Sequence, residues 1–392
     1  MNRTSNPFRA TLGSTPPYLA GRQNEIADFA DALDDGPGSH ERISLITGLR
    51  GVGKTVLLNA FEDEARSRSW WVISETATAG FSGRIVDTLF RLAEDTLRTH
   101  KRRLSGVTLP TIGGIQFSDV LQHQPQVTLR SALTDLLDWQ EKVDRQLGQE
   151  PVGLLITLDE LHYHRRDEVI EFGTTIQHLV REERNIAVAM AGIPQSIRPL
   201  LASQEGKNPV TFLRRANRID LGLIGKDEVK AALTEPVENA GFSWEPDALD
   251  DAVEACGGYP FMIQLIGQQC FKRSEGTVIT ARSVSEGATV AKRRLGQLVH
   301  EPALADLSEV DRTFLVAMAA DDGPSSMSDI AERLGANPQY AGNYRRRLIE
   351  AEIIVSSRYG FVDFELPYMR EYLREHAAVS VFKGQKDTDS KD

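Results

Sequence analysis

Residues 43–61 read ISLITGLRGVGKTVLLNAF: five strand-like residues, a turn containing Gly48, Gly51 and Gly53, then Lys54, Thr55 and an apolar helical run. Gly48, Gly53, Lys54 and Thr55 fill the spacing G-x-x-x-x-G-K-[ST], which cradles a phosphate chain on backbone N–H groups. Leu49, Arg50, Gly51 and Val52 complete the loop, and Val56 follows it. Glycine lets the backbone wrap closely around phosphate oxygens. A helix starting near Gly53 would aim its unpaired N–H groups and positive dipole end at them. Lys54 would reach the outer phosphates and the Thr55 hydroxyl would ligate Mg²⁺. The loop is expected to hold a nucleotide, and the rest of the chain is read as serving it.

With 392 residues, the chain is long enough for two or three domains. Its net charge of −11 excludes wholesale binding of a polyanion, although a local basic patch remains compatible with it. Cys256 and Cys270 have no C-x-x-C partner, so they read as reduced core thiols rather than as a zinc site or a disulfide framework. No secretory leader is visible and no apolar run approaches a membrane span, so a cytoplasmic location is expected.

Residues 1–17 are rich in Pro, Ser, Thr and Asn and read as an extended segment. A helix over 24–33 precedes the loop, and Trp70 to Ile73 fits a buried strand. Helices are predicted over 83–104 and 129–147, separated by an insertion at 105–127 that would be a hairpin or loop, either a partner surface or plain decoration. The run Gly153-Leu154-Leu155-Ile156-Thr157-Leu158 ends in Asp159-Glu160, as a central parallel strand with a catalytic tip would. A helix over 167–183 leads to another buried strand, 186–192. Strand and helix therefore alternate, and the class is α/β: a three-layer αβα core on a parallel sheet, spanning 18–222. Four helices across 227–298 make a helical lid domain, 223–300. Three helices and a β-ribbon turning at Arg358-Tyr359-Gly360 make a winged helix, 301–378, followed by a polar tail, 379–392.

Hydrolysis needs a magnesium ligand and a water activator. Asp159 at the strand tip would hold Mg²⁺, and Glu160 would polarise the attacking water, the Walker B arrangement. His162, His164 and Asp167 follow at once, but no further ligand completes a metal shell, and they read as a solvated loop.

The order PPYLAGR, GLRGVGKT, LLITLDE, TFLRRANRIDLGLI, GGYPF and a winged helix resembles the P-loop ATPases of the AAA+ and STAND type, close to the Orc1/Cdc6-like group of bacterial genomes. The likeness covers roughly residues 7–378. It implies that Tyr18, Leu19, Gly21 and Arg22 line an adenine pocket and that Pro260, in Gly258-Tyr259-Pro260, packs near the base. It also implies that Arg215, with Arg214 an almost equal candidate, reaches the γ-phosphate of a neighbouring subunit. The chain departs from the AAA+ pattern in two places. No arginine follows in the helix beginning at Tyr259, and Ala191-Gly192-Ile193-Pro194-Gln195 lacks an obvious polar sensor, with Gln195 or Ser196 as poor substitutes.

Together these features predict an ATP- and Mg²⁺-dependent switch with slow hydrolysis, nucleotide held between core and lid, and conformational output to the winged helix. Two other readings stay open: a nucleotide-gated DNA-binding regulator with vestigial hydrolysis, and an ATP-dependent assembly scaffold, homo-oligomeric or with a protein partner. Arg345, Arg346, Arg347 and Arg358 would suit DNA phosphates. Yet residues 306–378 hold eight Arg and no Lys against thirteen Asp and Glu, the reverse of a phosphate-neutralising domain.

Overall fold

The computed structural model describes residues 5–11, 13–99, 128–161, 166–201, 211–305 and 307–376. The expected insertion at 105–127, the tail at 379–392, and His162 and His164 lie outside the described residues. The chain divides into two units: a first of residues 22–48 and 53–221, and a second of 1–21, 49–52 and 222–392.

The first unit is built on five strands, β1 (Ile43–Gly48), β2 (Trp71–Thr76), β3 (Leu154–Asp159), β4 (Ile186–Gly192) and β5 (Asn217–Leu221). Their order is β2-β3-β4-β1-β5 and every pairing is parallel. Parallel strands need crossover helices, and helices on both faces require side chains that are apolar on both faces. The central strands meet that demand: β4 is buried throughout, and β3 is buried at all but its last residue. Leu154, Ile156 and Leu158 enter a core with Phe81, Ile85 and Leu89 of helix Phe81–Thr99, Leu133 and Leu136 of helix Leu129–Leu147, and Phe172 of helix Arg166–Arg181. Because side chains alternate along a strand, Thr157 faces the other way, and there its hydroxyl donates to Glu62 of helix Lys54–Ser67 at 2.6 Å. That helix packs on helix Gln23–Asp35 through the stacked rings of Phe61 and Phe29, 4.0 Å apart. Helix, sheet and helix make three layers.

β5 is not announced by an apolar run. It reads Asn-Arg-Ile-Asp-Leu with only Ile219 and Leu221 buried, the alternation of an edge strand. Nearby, helix Gln23–Asp35 ends at Gly36, and the buried Arg42 donates from Nε to the Ala32 carbonyl at 2.7 Å and from its amino group to that of Leu33 at 2.6 Å. Burial brings the Arg42 guanidinium down to about 10.

In the second unit, helix Pro260–Phe271 is buried nearly all round and forms the centre against which helices Lys226–Asn239, Pro246–Cys256 and Ala281–Leu295 pack. Two-residue strands, Ser243–Trp244 and Val278–Ile279, pair in parallel and are too short to leave a periodic signal. The N-terminal segment is seated on the central helix. Phe8 covers Gly267, where a Cβ would lie 2.4 Å from the ring, and the Asn6 amide donates to the Gln268 carbonyl at 3.0 Å. Cys256 and Cys270 are free and buried, and burial pushes both thiols up, Cys270 to about 12.

Helix Ala281–Leu295 continues through a π turn, Gly296–His300, into helices Glu301–Ala305, Glu309–Ala319, Met327–Arg333 and Pro338–Glu350. Strands Ile354–Arg358 and Phe361–Phe364 form the expected ribbon, and Ser325–Ser326 joins it as a third strand. Residues 369–376 are helical. Among the described residues, no helix is long and apolar enough to cross a membrane.

Candidate functional site

Parallel register brings the C-terminal ends of β1, β3 and β4 to one edge of the sheet, so Gly48, Asp159 and Gly192 emerge together. Gly48, Gly51 and Gly53 have φ of 153°, 76° and 100°, angles that explain glycine at each turn of the loop. Gly53 caps helix Lys54–Ser67, whose first N–H groups have no intrahelical partner. Lys54 Nζ donates to the Gly48 carbonyl at 2.7 Å, folding the amine over the loop. Thr55 Oγ1 donates to Asp159 Oδ2 at 2.6 Å. The two residues expected to share a magnesium ion, 104 positions apart, are thus in contact.

Asp159 is held from a second side, since its Oδ1 accepts the Glu160 N–H at 2.8 Å. Glu160 is exposed and sits at φ 55°, in the left-handed region that side chains with a Cβ rarely occupy. Such a conformation persists only where its surroundings impose it, and it clusters at functional sites. The carboxylate of Glu160 has no partner among the described residues. The Glu62–Thr157 bond, which sequence reasoning missed, ties helix Lys54–Ser67 to β3 a second time, below the Thr55–Asp159 contact. Thr55 and Asp159 are both hard oxygen donors and suit Mg²⁺, which would neutralise phosphate charge.

The tip of β4, where the sequence offers no obvious polar sensor, is closely packed at Gly192. A Cβ on Gly192 would lie 2.7 Å from the Leu161 carbonyl oxygen, and the Leu161 N–H donates to the Ala191 carbonyl at 2.8 Å. The chain leaving β3 is laid across the tip of β4, which leaves no room there for a side chain.

Arg215 lies elsewhere. It lies two residues before β5, whose Asn217 pairs with Ser44, four residues before Gly48. At a rise of about 3.3 Å per residue, Asn217 stands roughly 13 Å along the strands from the loop, and Arg215 lies farther back along the chain. The two candidate arginines are now separable. Arg214 Nε donates to the Leu201 carbonyl at 2.7 Å, whereas the Arg215 guanidinium has no partner among the described residues. Arg215 lines a cavity of about 270 Å³ with Arg42, Arg181 and Arg184.

Of the expected adenine-pocket residues, Tyr18 and Leu19 are half-buried in the second unit, and Arg22, at the start of the first, has its pKa lowered chiefly by burial. Pro260 opens helix Pro260–Phe271 at its first turn, where a missing N–H costs nothing. Gly257 and Gly258, at φ 57° and 72°, turn the chain before it. A Cβ on Gly258 would meet the Ile224 carbonyl at 2.6 Å, and Ile224 N–H donates to the Gly258 carbonyl at 2.8 Å.

The C-terminal arginines have internal contacts. Arg345 donates to Ser356 Oγ at 2.9 Å, Arg347 to the buried carboxylate of Asp311 at 2.8 Å, and Arg358 covers the Phe361 ring at 3.9 Å. Among the described residues, Arg346 reaches only Asn343 of its own helix, at 3.5 Å. At the ribbon tip Tyr359 is fully exposed.

Comparison with known proteins agrees with this geometry. An uncharacterized HTH-type transcriptional regulator of Methanocaldococcus jannaschii is 22% identical over 382 residues, 91% of this chain and 88% of the relative. A Walker-type ATPase of Pyrococcus abyssi superposes with a TM-score of 0.63 at 17% identity, over 93% of this chain and all of that one. The Aeropyrum pernix Orc1 protein in complex with DNA gives 0.44 at 17% identity, over 94% and 95%. Residues 297–373 match a family described as a domain of unknown function. Residues 18–188 match the family described as the AAA ATPase domain, and the α/β fold with its five-strand parallel sheet is shared with the Walker-type ATPase.

Proposed function

We propose that this protein is an ATP-driven switch with slow hydrolysis. The carrying observation is the 2.6 Å contact between Thr55 and Asp159, which joins the phosphate loop to the acidic strand tip. Backbone groups of residues 48–56 and Lys54 take the phosphates, Thr55 and Asp159 hold Mg²⁺, and Glu160 orients the attacking water. Tyr18, Leu19, Arg22 and Pro260 contact the adenine, and Arg215 acts on the nucleotide of a second copy. Slow turnover follows from the blocked tip of β4 and from the lack of any arginine in helix Pro260–Phe271. A switch, unlike a motor, needs to dwell in its bound state.

Phosphate release from ATP, followed with Mg²⁺, with EDTA and in Thr55→Ala, tests the proposal. Turnover should require both the ion and the hydroxyl. Release that persists in EDTA, or no measurable ATP binding by the natural protein, overturns it.

A second reading is favoured by the relative named as a transcriptional regulator, which is matched over most of both chains. In that reading the three helices and ribbon of the C-terminal region are a winged helix that binds DNA when nucleotide is bound, through Arg346 and the ribbon tip rather than through the arginines already engaged.

A further inference from the structure

The loop pattern G-x-x-x-x-G-K-[ST] leaves position 51 open, yet glycine stands there. A Cβ on Gly51 would fall 2.1 Å from the hydroxyl oxygen of Tyr259 and 2.7 Å from the ring carbon that bears it. Tyr259 is fully buried, and its hydroxyl donates to the Arg50 carbonyl at 2.6 Å. Loop residues 49–52 and Tyr259 belong to the same unit. Two left-handed glycines immediately before Tyr259 and a proline immediately after it fix the direction of this side chain.

A buried tyrosine needs a hydrogen-bond partner, and one carbonyl would satisfy it. Here the carbonyl belongs to the apex of the phosphate loop, and the neighbouring residue has been reduced to glycine to admit the hydroxyl. In a trans peptide the C=O and the following N–H point in opposite directions. Anchoring the Arg50 carbonyl on Tyr259 therefore aims the Gly51 N–H away from Tyr259.

We propose that Tyr259 is a positioning residue of the phosphate loop: its hydroxyl holds the Arg50–Gly51 peptide so that the Gly51 N–H faces the phosphate chain of a bound nucleotide. This inference rests on the nucleotide-binding reading. Its consequence is a link between phosphate occupancy and the unit that carries the C-terminal helices. A loop that shifts to grip phosphate pulls on the start of helix Pro260–Phe271, and a displaced helix loosens the grip, as reciprocity of coupling requires.

Tyr259→Phe removes the hydroxyl and keeps the ring. Dissociation constants for Mg-ATP, and for inorganic pyrophosphate by competition with a fluorescent ATP analogue, should both rise about five- to tenfold. Hydrogen exchange of residues 49–53 in the ligand-free protein should quicken, while that of residues 260–271 stays as it was. Unchanged affinities in Tyr259→Phe, with the natural protein binding both ligands, overturn the inference and leave the nucleotide reading intact. Loss confined to ATP also overturns it, because the effect would then act through the base. A natural protein that binds neither ligand overturns the nucleotide reading and this inference with it. Were Tyr259→Phe to unfold, the natural protein still decides: exchange at 49–53 that is fast without ligand and unaffected by pyrophosphate would count against an anchored loop.

Discussion

The phosphate loop and helix Pro338–Glu350 both gather cationic and polar groups suited to phosphate, but the fold treats them differently. At the loop, turns with positive φ and a strained Glu160 hold polar groups in place around Asp159. On helix Pro338–Glu350, Arg345 and Arg347 are bound to Ser356 and Asp311. Charge type alone would rank the arginine run as the richer anion site. What separates the two is how the polar groups are held: at the loop Lys54, Thr55 and Asp159 bond the turn and one another at a strand tip, whereas on the helix Arg345 and Arg347 are tied to a neighbouring strand and a buried carboxylate.

Two substitutions at the loop should have the largest effects. Lys54→Ala should weaken ATP binding at least about 100-fold by titration with a fluorescent analogue, since a charge-assisted contact to the outer phosphates is lost. Glu160→Gln should keep ATP affinity within about threefold while phosphate release falls about 100-fold or more. Unchanged release in Glu160→Gln would remove the exposed carboxylate from the chemistry and reduce its φ of 55° to a local turn effect.

Much of the loop end was legible in the sequence because its constraints are local. Three glycines, a lysine and a threonine report backbone angles and a helix start directly, and an apolar run ending in two acids reports a buried strand with an exposed tip. Contacts between distant positions were not legible. Nothing near Glu62 announces Thr157, and nothing near Gly51 announces Tyr259, more than 200 residues away, because those pairings exist only once the chain is folded. The occupied arginines were hidden for the same reason. Asp311 reads as an ordinary acid in the first turn of a helix, and its burial beneath Arg347 depends on how helices Glu309–Ala319 and Pro338–Glu350 pack.

A middle-sized effect concerns another internally engaged polar group of the C-terminal region. His300 is buried in the π turn; one ring nitrogen is 2.9 Å from the Pro367 carbonyl, and its ring meets that of Tyr372 edge-on. Burial lowers its pKa to about 4, against smaller opposing effects from the Pro367 hydrogen bond and Glu371. The unfolded chain, with an ordinary value of about 6.5, binds the proton more readily, so stability contributed by neutral His300 is complete above pH 6.5 and is lost as pH falls toward 4. The loss should amount to at most about 3 kcal/mol, read as a falling denaturant midpoint between pH 7 and pH 4. His300→Gln should flatten that slope. A slope that survives the substitution assigns the acid sensitivity to other groups.

The smallest effects test the arginine helix itself. Arg347 is more than half exposed, so its ion pair is screened; its removal nevertheless leaves the buried Asp311 carboxylate, among the described residues, with only its Ser308 contacts. Arg347→Ala should therefore cost about 1–2 kcal/mol of stability, measured by denaturant unfolding, and should leave any affinity for random duplex DNA at low salt unchanged. Arg346, which among the described residues bonds only within its own helix, should behave in the opposite way: its alanine variant keeps its stability and, if the C-terminal region binds duplex, reduces the salt slope of binding by about one. Were Arg347→Ala instead to abolish a mobility shift without lowering stability, the Asp311 pair would be one that the arginine leaves for DNA, and the contrast between loop and helix would dissolve. Were no shift to appear in either nucleotide state, the acidic balance of residues 306–378 would have the final word, and the region's three helices and ribbon would serve protein contacts.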